Sequence, residues 1–75
     1  MKYIFSKNRA LNLANIDEIT VSCNYLKVTT GGGLNAREIN FIYGGEAELV
    51  SLLKAIMGFI AGEGNLFDCD KFLGR

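Results

Sequence analysis

The spacing of apolar residues changes at the Gly44–Gly45 pair, and this change constrains the fold more than any other feature. Before the pair, apolar side chains recur at every second position, and after it they recur at helical intervals. A period of two is typical of a strand with one buried face, whereas a period near 3.6 is typical of an amphipathic helix. A chain of 75 residues has room for a single small domain. The sequence therefore predicts an α+β fold in which an antiparallel β-meander of about four strands packs on one C-terminal amphipathic helix.

The strands are predicted from alternation and from β-branched or aromatic content. The predicted strand segments are residues 2–5, 18–23, 26–30 and 37–43. Residues 10–16, between the first two segments, are expected to form a short extended piece followed by a tight turn at Ala14–Asp17. Asn24–Tyr25 is expected to connect the second and third segments.

Three consecutive glycines at positions 31–33 raise the question of a phosphate-binding loop. A P-loop needs the spacing GxxxxGK[ST] and leads into a helix, so that backbone N–H groups and a lysine converge on phosphates. Here no lysine follows, and residues 37–43 are predicted as a strand. Glycines between two alternating segments supply the positive φ angles that a hairpin needs. The run is therefore interpreted as a hairpin.

The amphipathic helix is predicted from residue 46 to its end at Gly62, with Glu46 and Glu48 favourably placed in the first turn. Its apolar surface is broader than one small sheet face requires. The tail that follows contains four large apolar side chains that would not remain in water: Leu66, Phe67, Phe72 and Leu73. We expect the tail to dock on its own core or on a neighbouring chain.

Catalytic and metal chemistry is disfavoured by the residue types present. The chain has no histidine to serve as a base or zinc ligand, and its two cysteines lack metal-ligand spacing. Cys23 alternates in phase with the apolar face of its strand, so it is predicted to be buried. Cys69 lies between Asp68 and Asp70, which disfavour a thiolate, so it is predicted to be more accessible but not activated. No Cys23–Cys69 disulfide, enzyme activity, metal or cofactor is expected.

Charge gives little reason to expect nucleic acid as a partner. The formal net charge is zero, and the basic excess is confined to Lys2, Lys7 and Arg9. Binding of nucleic acid or an anionic surface through this segment is the alternative function. Five aromatic residues could then stack on bases, although packing is their expected use: Tyr3, Phe5, Tyr25, Phe41 and Tyr43. No signal-peptide or membrane-spanning pattern is present, so a cytoplasmic protein with reduced thiols is expected.

The preferred function is a non-catalytic interaction module that acts by self-association, as a homodimer. Small domains bury too little surface to be stable without help, and this chain offers more apolar side chains than one sheet face can cover. An unidentified protein partner is also considered. The residues predicted to make the interaction lie on the helix and the tail: Val50, Met57, Phe59, Phe67 and Phe72.

The order of segments resembles the C-terminal half of small bacterial PH-like (pleckstrin-homology-like) domains. The resemblance rests on "LNLANIDEI", "LKVTTGGG", "REINFIYGG" and "EAELVSLLKAIM", within residues 11–60. It implies a meander whose sheet is closed at one end by a helix. A full PH-like barrel has seven strands, and the family's sites lie mainly in the missing half, so no site residue is carried over. Uncharacterised β-meander-plus-helix proteins of bacteria and mobile elements are equally similar.

Overall fold

A computed structural model describes residues 1–31 and 36–74. Within these ranges the chain forms, in order, β1 (Tyr3–Ser6), β2 (Arg9–Asn12), β3 (Ile16–Ser22), β4 (Tyr25–Thr30), β5 (Arg37–Ile42), α1 (Glu46–Ala61), β6 (Leu66–Asp68) and α2 (Cys69–Phe72). The predicted α+β class, with a meander packed on a helix, is confirmed. The described part of the chain contains six strands in two sheets, where the sequence indicated about four strands in one.

The meander is the sheet β3-β4-β5, in which both neighbouring pairs are antiparallel. Leu26, Val28 and Phe41 point to one face and are almost fully buried, while Ile42 on the opposite face of the sheet is 63% exposed. This alternation is the period of two that the sequence shows, because successive side chains of a strand point to opposite faces. One face of the meander therefore supplies the core.

The second sheet has the order β2-β1-β6 and was only partly foreseen. β1 and β2 form an antiparallel hairpin whose two turn residues, Lys7 and Asn8, have φ angles of 48° and 66°. Positive φ at both turn positions matches the right-handed twist of the flanking strands. β6 comes from the tail and pairs with β1 in parallel, Ile4 opposite Phe67. The tail thus docks on its own chain, which was one of the two predicted outcomes.

Helix α1 packs against β3 and β4 and buries Leu49, Leu52 and Ile56 completely. Its last turn contains no basic residue of its own. The ammonium group of Lys2 takes that place, because it donates hydrogen bonds to the carbonyl oxygens of Phe59, at 2.7 Å, and of Gly62. A cation there satisfies unpaired carbonyls and complements the helix dipole. Among the described residues, no helix is both long enough and apolar enough to cross a membrane.

Two connections differ from the predicted ones by one or two residues. The expected turn at Ala14–Asp17 is a 3-10 turn at Leu13–Asn15, where the side chain of Asn12 accepts a hydrogen bond from the backbone N–H of Ala14 at 3.0 Å. The connection between β3 and β4 is Cys23–Asn24, one residue earlier than Asn24–Tyr25. β4 is followed by Gly31 with a φ of 91°. The predicted hairpin at positions 31–33 otherwise falls on Gly32 and Gly33, which lie outside the described residues.

Replacing Gly45, at the entry to α1, and Gly58, inside α1, by alanine should change the free energy of unfolding in opposite directions. Gly45 precedes the helix with a φ of 84°, so we expect Gly45→Ala to lower the free energy of unfolding by about 1–2 kcal/mol. Gly58 lies inside the helix, and a Cβ there would meet nothing within 4 Å. Gly58→Ala should therefore raise the free energy of unfolding by about 0.5–1 kcal/mol. Urea denaturation of both variants measures this, and a shift in the same direction for both would contradict the assignment.

Candidate interaction surface

The most deeply buried polar group is the hydroxyl of Ser6, which belongs to a three-residue cluster at the junction of the two sheets. Ser6 is fully buried and hydrogen-bonds the phenol of Tyr43 just after β5. The Tyr43 hydroxyl donates to the carboxylate of Asp70 in α2 at 2.7 Å. Because a phenol has one proton to donate, the Ser6 hydroxyl is the donor to Tyr43. The cluster joins β1, the end of the meander and the tail.

Burial keeps the Tyr43 phenol and the Cys69 thiol protonated at neutral pH. Burial raises the pKa of Tyr43 well above its usual range, and the bond donated to Asp70 raises it further, although the bond from Ser6 acts in the opposite direction. Burial also raises the pKa of the Cys69 thiol to about 12, and the neighbouring charges of Asp70 and Asp68 add to the effect. At neutral pH neither group is a ready base or nucleophile. The cluster is therefore suited to holding segments together.

Both predictions about thiol exposure are wrong. Cys23, predicted to be buried, is exposed because it falls in the β3–β4 turn, where the alternation of the strand no longer applies. Cys69, predicted to be the more accessible, is fully buried because the pairing of β6 with β1 carries it into the core as the first residue of α2. Both cysteines are free thiols.

The two aspartates beside Cys69 each have an internal partner. Asp68 precedes α2 and accepts a hydrogen bond from the backbone N–H of Lys71 at 3.0 Å. Asp70 accepts from Tyr43 and from the backbone N–H of Lys7, at 3.2 Å for the nearer oxygen. No group of three or more metal-binding side chains occurs within residues 1–31 and 36–74. The segment "DCD" is thus part of the tail's docking.

The basic residues near the N-terminus lie in different surroundings. Lys2 caps α1 and its ammonium group lies 4.8 Å from the ring centroid of Phe59. The ammonium group of Lys7 lies 4.8 Å from the ring centroid of Tyr43. Arg9 instead lines a polar cavity of about 560 Å³ that Arg37 of β5 also lines, together with Glu38. The structure therefore brings Arg9 together with Arg37, a pairing that adjacency in sequence could not indicate.

Three of the five predicted interaction residues form an aromatic cluster inside the chain. The ring centroids of Phe59 and Phe67 are 5.7 Å apart, and those of Phe67 and Phe72 are 5.8 Å apart, both at tilted angles. Such spacing is favourable for aromatic pairs. Phe59 and Phe67 are half-buried, and Phe72 is 47% exposed. This cluster packs the tail against α1.

The other two predicted residues, Val50 and Met57, lie on a second apolar face of α1. The core stripe of the helix is Leu49, Leu52, Ile56 and Phe59. Each of these is followed by another apolar residue, and one residue turns roughly 100° around the axis. The result is an outer stripe, defined as Val50, Leu53, Met57 and Ile60. Met57 is 61% exposed and Ile60 is 48% exposed, so the outer stripe faces solvent.

A groove with a volume of about 580 Å³ runs beside the outer stripe, between α1 and β3. Its wall on the helix side includes Leu53, Met57 and Ile60. The opposite wall is formed by the 3-10 turn and β3, which supply the apolar side chains of Leu13, Ile16 and Ile19, and the charged residues Asp17, Glu18 and Lys2 also line the groove. Sequence reasoning singled out Met57 and Val50 but not Leu53, Ile60 or the β3 wall. The one-residue offset between the two stripes was visible in the sequence, whereas the β3 wall depends on how the helix packs.

The chain matches no protein-family model, no curated protein sequence and no solved structure. The resemblance to PH-like domains therefore stays a prediction.

Removing the Tyr43 hydroxyl tests the role of the buried cluster. Tyr43→Phe leaves the fully buried Ser6 hydroxyl without its partner, and we expect a loss of about 1–3 kcal/mol in the free energy of unfolding. Tyr25→Phe, at a half-buried position of β4, is the matched control and should change it by less than about 0.5 kcal/mol. Adding Ser6→Ala to Tyr43→Phe should recover part of the loss. Equal losses for Tyr43→Phe and Tyr25→Phe in urea denaturation would disprove the role.

Proposed function

We propose that this protein is a non-catalytic interaction module that self-associates through the outer stripe of α1. The observation that carries the proposal is the solvent exposure of Met57 and Ile60 beside an apolar groove. The described part of the tail packs on β1 and on Phe59, and none of its residues lines this groove. Docking of the tail accounts for the apolar surface around Phe59, and a partner accounts for the outer stripe.

Covering this face with a partner would stabilise the folded protein. Burying a large apolar side chain stabilises a folded state by about 1.5–3 kcal/mol relative to leaving it exposed. Two side chains that are each about half exposed therefore represent a substantial part of the 3–5 kcal/mol typical of a domain this small. A second copy of the chain brings the same apolar face, so a two-fold interface is self-complementary.

The groups most often used as nucleophiles support a non-catalytic role. The Cys69 thiol has a pKa of about 12 and is fully buried, and the Ser6 hydroxyl is equally inaccessible. Nucleophilic catalysis needs an accessible group that is deprotonated or paired with a base. Cys23 is exposed, but Ser22 and Asn24 beside it supply no base or positive charge.

Two free thiols, one of them exposed, are consistent with the reducing environment of a cytoplasm, where disulfides are rare. We therefore propose a cytoplasmic homodimer, with an unidentified protein as the other partner that the same face would accept.

Sedimentation at micromolar concentration tests self-association. We expect the 8.2 kDa chain to sediment as a dimer and the variant Met57→Lys to sediment as a monomer, because lysine would place a charge in the apolar contact. Met57 is 61% exposed in one chain, so its replacement should leave the fold intact, which circular dichroism would verify.

The matched control is Leu66→Lys, since Leu66 is 62% exposed but lies on β6, away from the outer stripe. This variant should remain dimeric. Dimerisation that survives Met57→Lys and is lost in Leu66→Lys would move the interface to the tail, and a monomeric parent chain would refute self-association.

The second candidate function is binding of phosphate groups, such as those of single-stranded nucleic acid, at the cavity between β2 and β5. It is supported by Arg9 and Arg37, which come from different sheets and line the same polar space. Guanidinium groups suit phosphate because they present several donors in one plane. Lys2 and Lys7 already have internal contacts, so this site departs from the N-terminal segment predicted from sequence.

Charge reversal at Arg37 tests this second function. If the cavity holds phosphate, Arg37→Glu should weaken binding of a fluorescent single-stranded oligonucleotide at least tenfold and reduce the salt dependence. Lys71→Glu makes the same change of charge in α2, outside the cavity, and should leave binding unchanged. Absence of binding by the parent chain at low salt, or an equal effect of the two variants, would exclude the site.

A further inference from the structure

We infer that the partner on the outer stripe is a second copy of α1 that runs antiparallel to the first, across a two-fold axis. This inference rests on the proposed self-association and adds the direction and the register of the contact. Three properties of α1 carry it: the spacing of the stripe, the groove beside it, and the opposite charges at the two helix ends.

The outer stripe has the spacing of a two-helix seam. Val50, Leu53, Met57 and Ile60 are separated by three, four and three residues. This alternation of three and four is the a/d pattern of helices that pack with knobs into holes. The core stripe has the same spacing and is already used against β3 and β4. The outer stripe is therefore a second seam without a partner inside the described chain.

The groove offers such a helix a second wall. A helix lying along the outer stripe also meets Leu13, Ile16 and Ile19, which face the groove from the opposite side. In a two-fold arrangement each α1 occupies the other chain's groove, so both copies bury the same residues. An extended peptide would leave the three-four spacing unmatched, because strand side chains alternate with a period of two.

Charge decides the direction. Glu46 is exposed in the first turn of α1. At the other end of the helix lies Lys2, from the N-terminal segment, whose ammonium group donates to the carbonyl oxygen of Gly62. An antiparallel pair places Glu46 beside Lys2 of the partner subunit, and it opposes the two helix dipoles. A parallel pair would place two Glu46 carboxylates together at one end and two Lys2 ammonium groups together at the other. The antiparallel direction is favoured on both counts.

Lys54 opposes this arrangement, but only weakly. Lys54 flanks the middle of the stripe, so the two Lys54 side chains approach each other near the axis. Both are exposed, and repulsion between exposed charges is screened by salt. The antiparallel dimer should therefore become tighter on Lys54→Gln, which removes this repulsion.

The register follows from the stripe itself. In the antiparallel pair Val50 lies opposite Ile60 of the partner subunit, and Leu53 lies opposite Met57 of the partner subunit. In a parallel pair each residue would instead lie opposite its own copy. Val50 and Ile60 are ten positions apart in the helix, which corresponds to roughly 15 Å along the axis at about 1.5 Å per residue. The two directions therefore give clearly separate cross-linking patterns.

Cysteine cross-linking distinguishes them. All variants carry Cys23→Ser to remove the exposed thiol, and Cys69 stays because it is buried. Val50→Cys and Ile60→Cys are oxidised separately and as an equimolar mixture, and the products are identified by mass spectrometry. We expect the mixed disulfide to form at least tenfold faster than either homodimeric disulfide. Ser51→Cys, which lies outside the stripe, measures the rate of random collision.

The outcomes separate the direction of pairing from self-association itself. Rapid homodimeric disulfides with little mixed product would overturn the antiparallel direction in favour of a parallel one. If the chain sediments as a dimer but the mixed and homodimeric disulfides both form no faster than the Ser51→Cys disulfide, the interface does not lie on the outer stripe of α1. A chain that sediments as a monomer before oxidation would refute the proposed function rather than the direction of pairing.

Discussion

A buried hydroxyl has to be hydrogen-bonded, and in this protein that requirement joins parts of the chain that lie far apart in sequence. Ser6 has no access to water, so Tyr43 must lie beside it, and Tyr43 in turn donates to Asp70. The three residues come from the first strand, the end of the meander and the tail. Their contact fixes how the two sheets meet, because an unpaired hydroxyl in the core would cost more than the bond contributes.

The position of the tail decides which apolar faces remain open. Once Asp70 is bound to Tyr43 and β6 is paired with β1, the aromatic rings of the tail pack against Phe59 at the end of α1. Among residues 1–31 and 36–74, no tail residue lines the groove beside the outer stripe. The proposed interaction surface thus arises from a packing constraint located elsewhere in the molecule. The same docking buries the thiol that sequence reasoning considered accessible.

The parts of this fold that follow from sequence are those with a sustained period. β4, β5 and α1 each have enough apolar residues to show a period of two or of 3.6, and Gly62 ends the helix as expected. β6 has only three residues and exists because β1 offers it an open edge, which no local pattern can show. Lys7 and Asn8 adopt positive φ angles although neither is a glycine. The sequence therefore indicated a polar turn at this position but not its backbone conformation. Cys23 shows how a one-residue shift in a turn reverses a prediction of burial.

For the candidate surface, Met57 and Val50 could be selected by type and spacing, but the β3 wall could not.

The parallel pairing of β1 with β6 has a consequence for the order in which the molecule assembles. Tyr3 is opposite Leu66, so the sheet β2-β1-β6 joins segments separated by about 60 residues. During synthesis β1 leaves the ribosome early, whereas β6 is made only after the meander and the long helix. Closing so large a loop is entropically unfavourable until those intervening elements are compact. The edge of β1 that later receives β6 is thus exposed until β6 has been made. In that interval the backbone N–H and C=O groups of this edge are available for pairing with a strand of another chain.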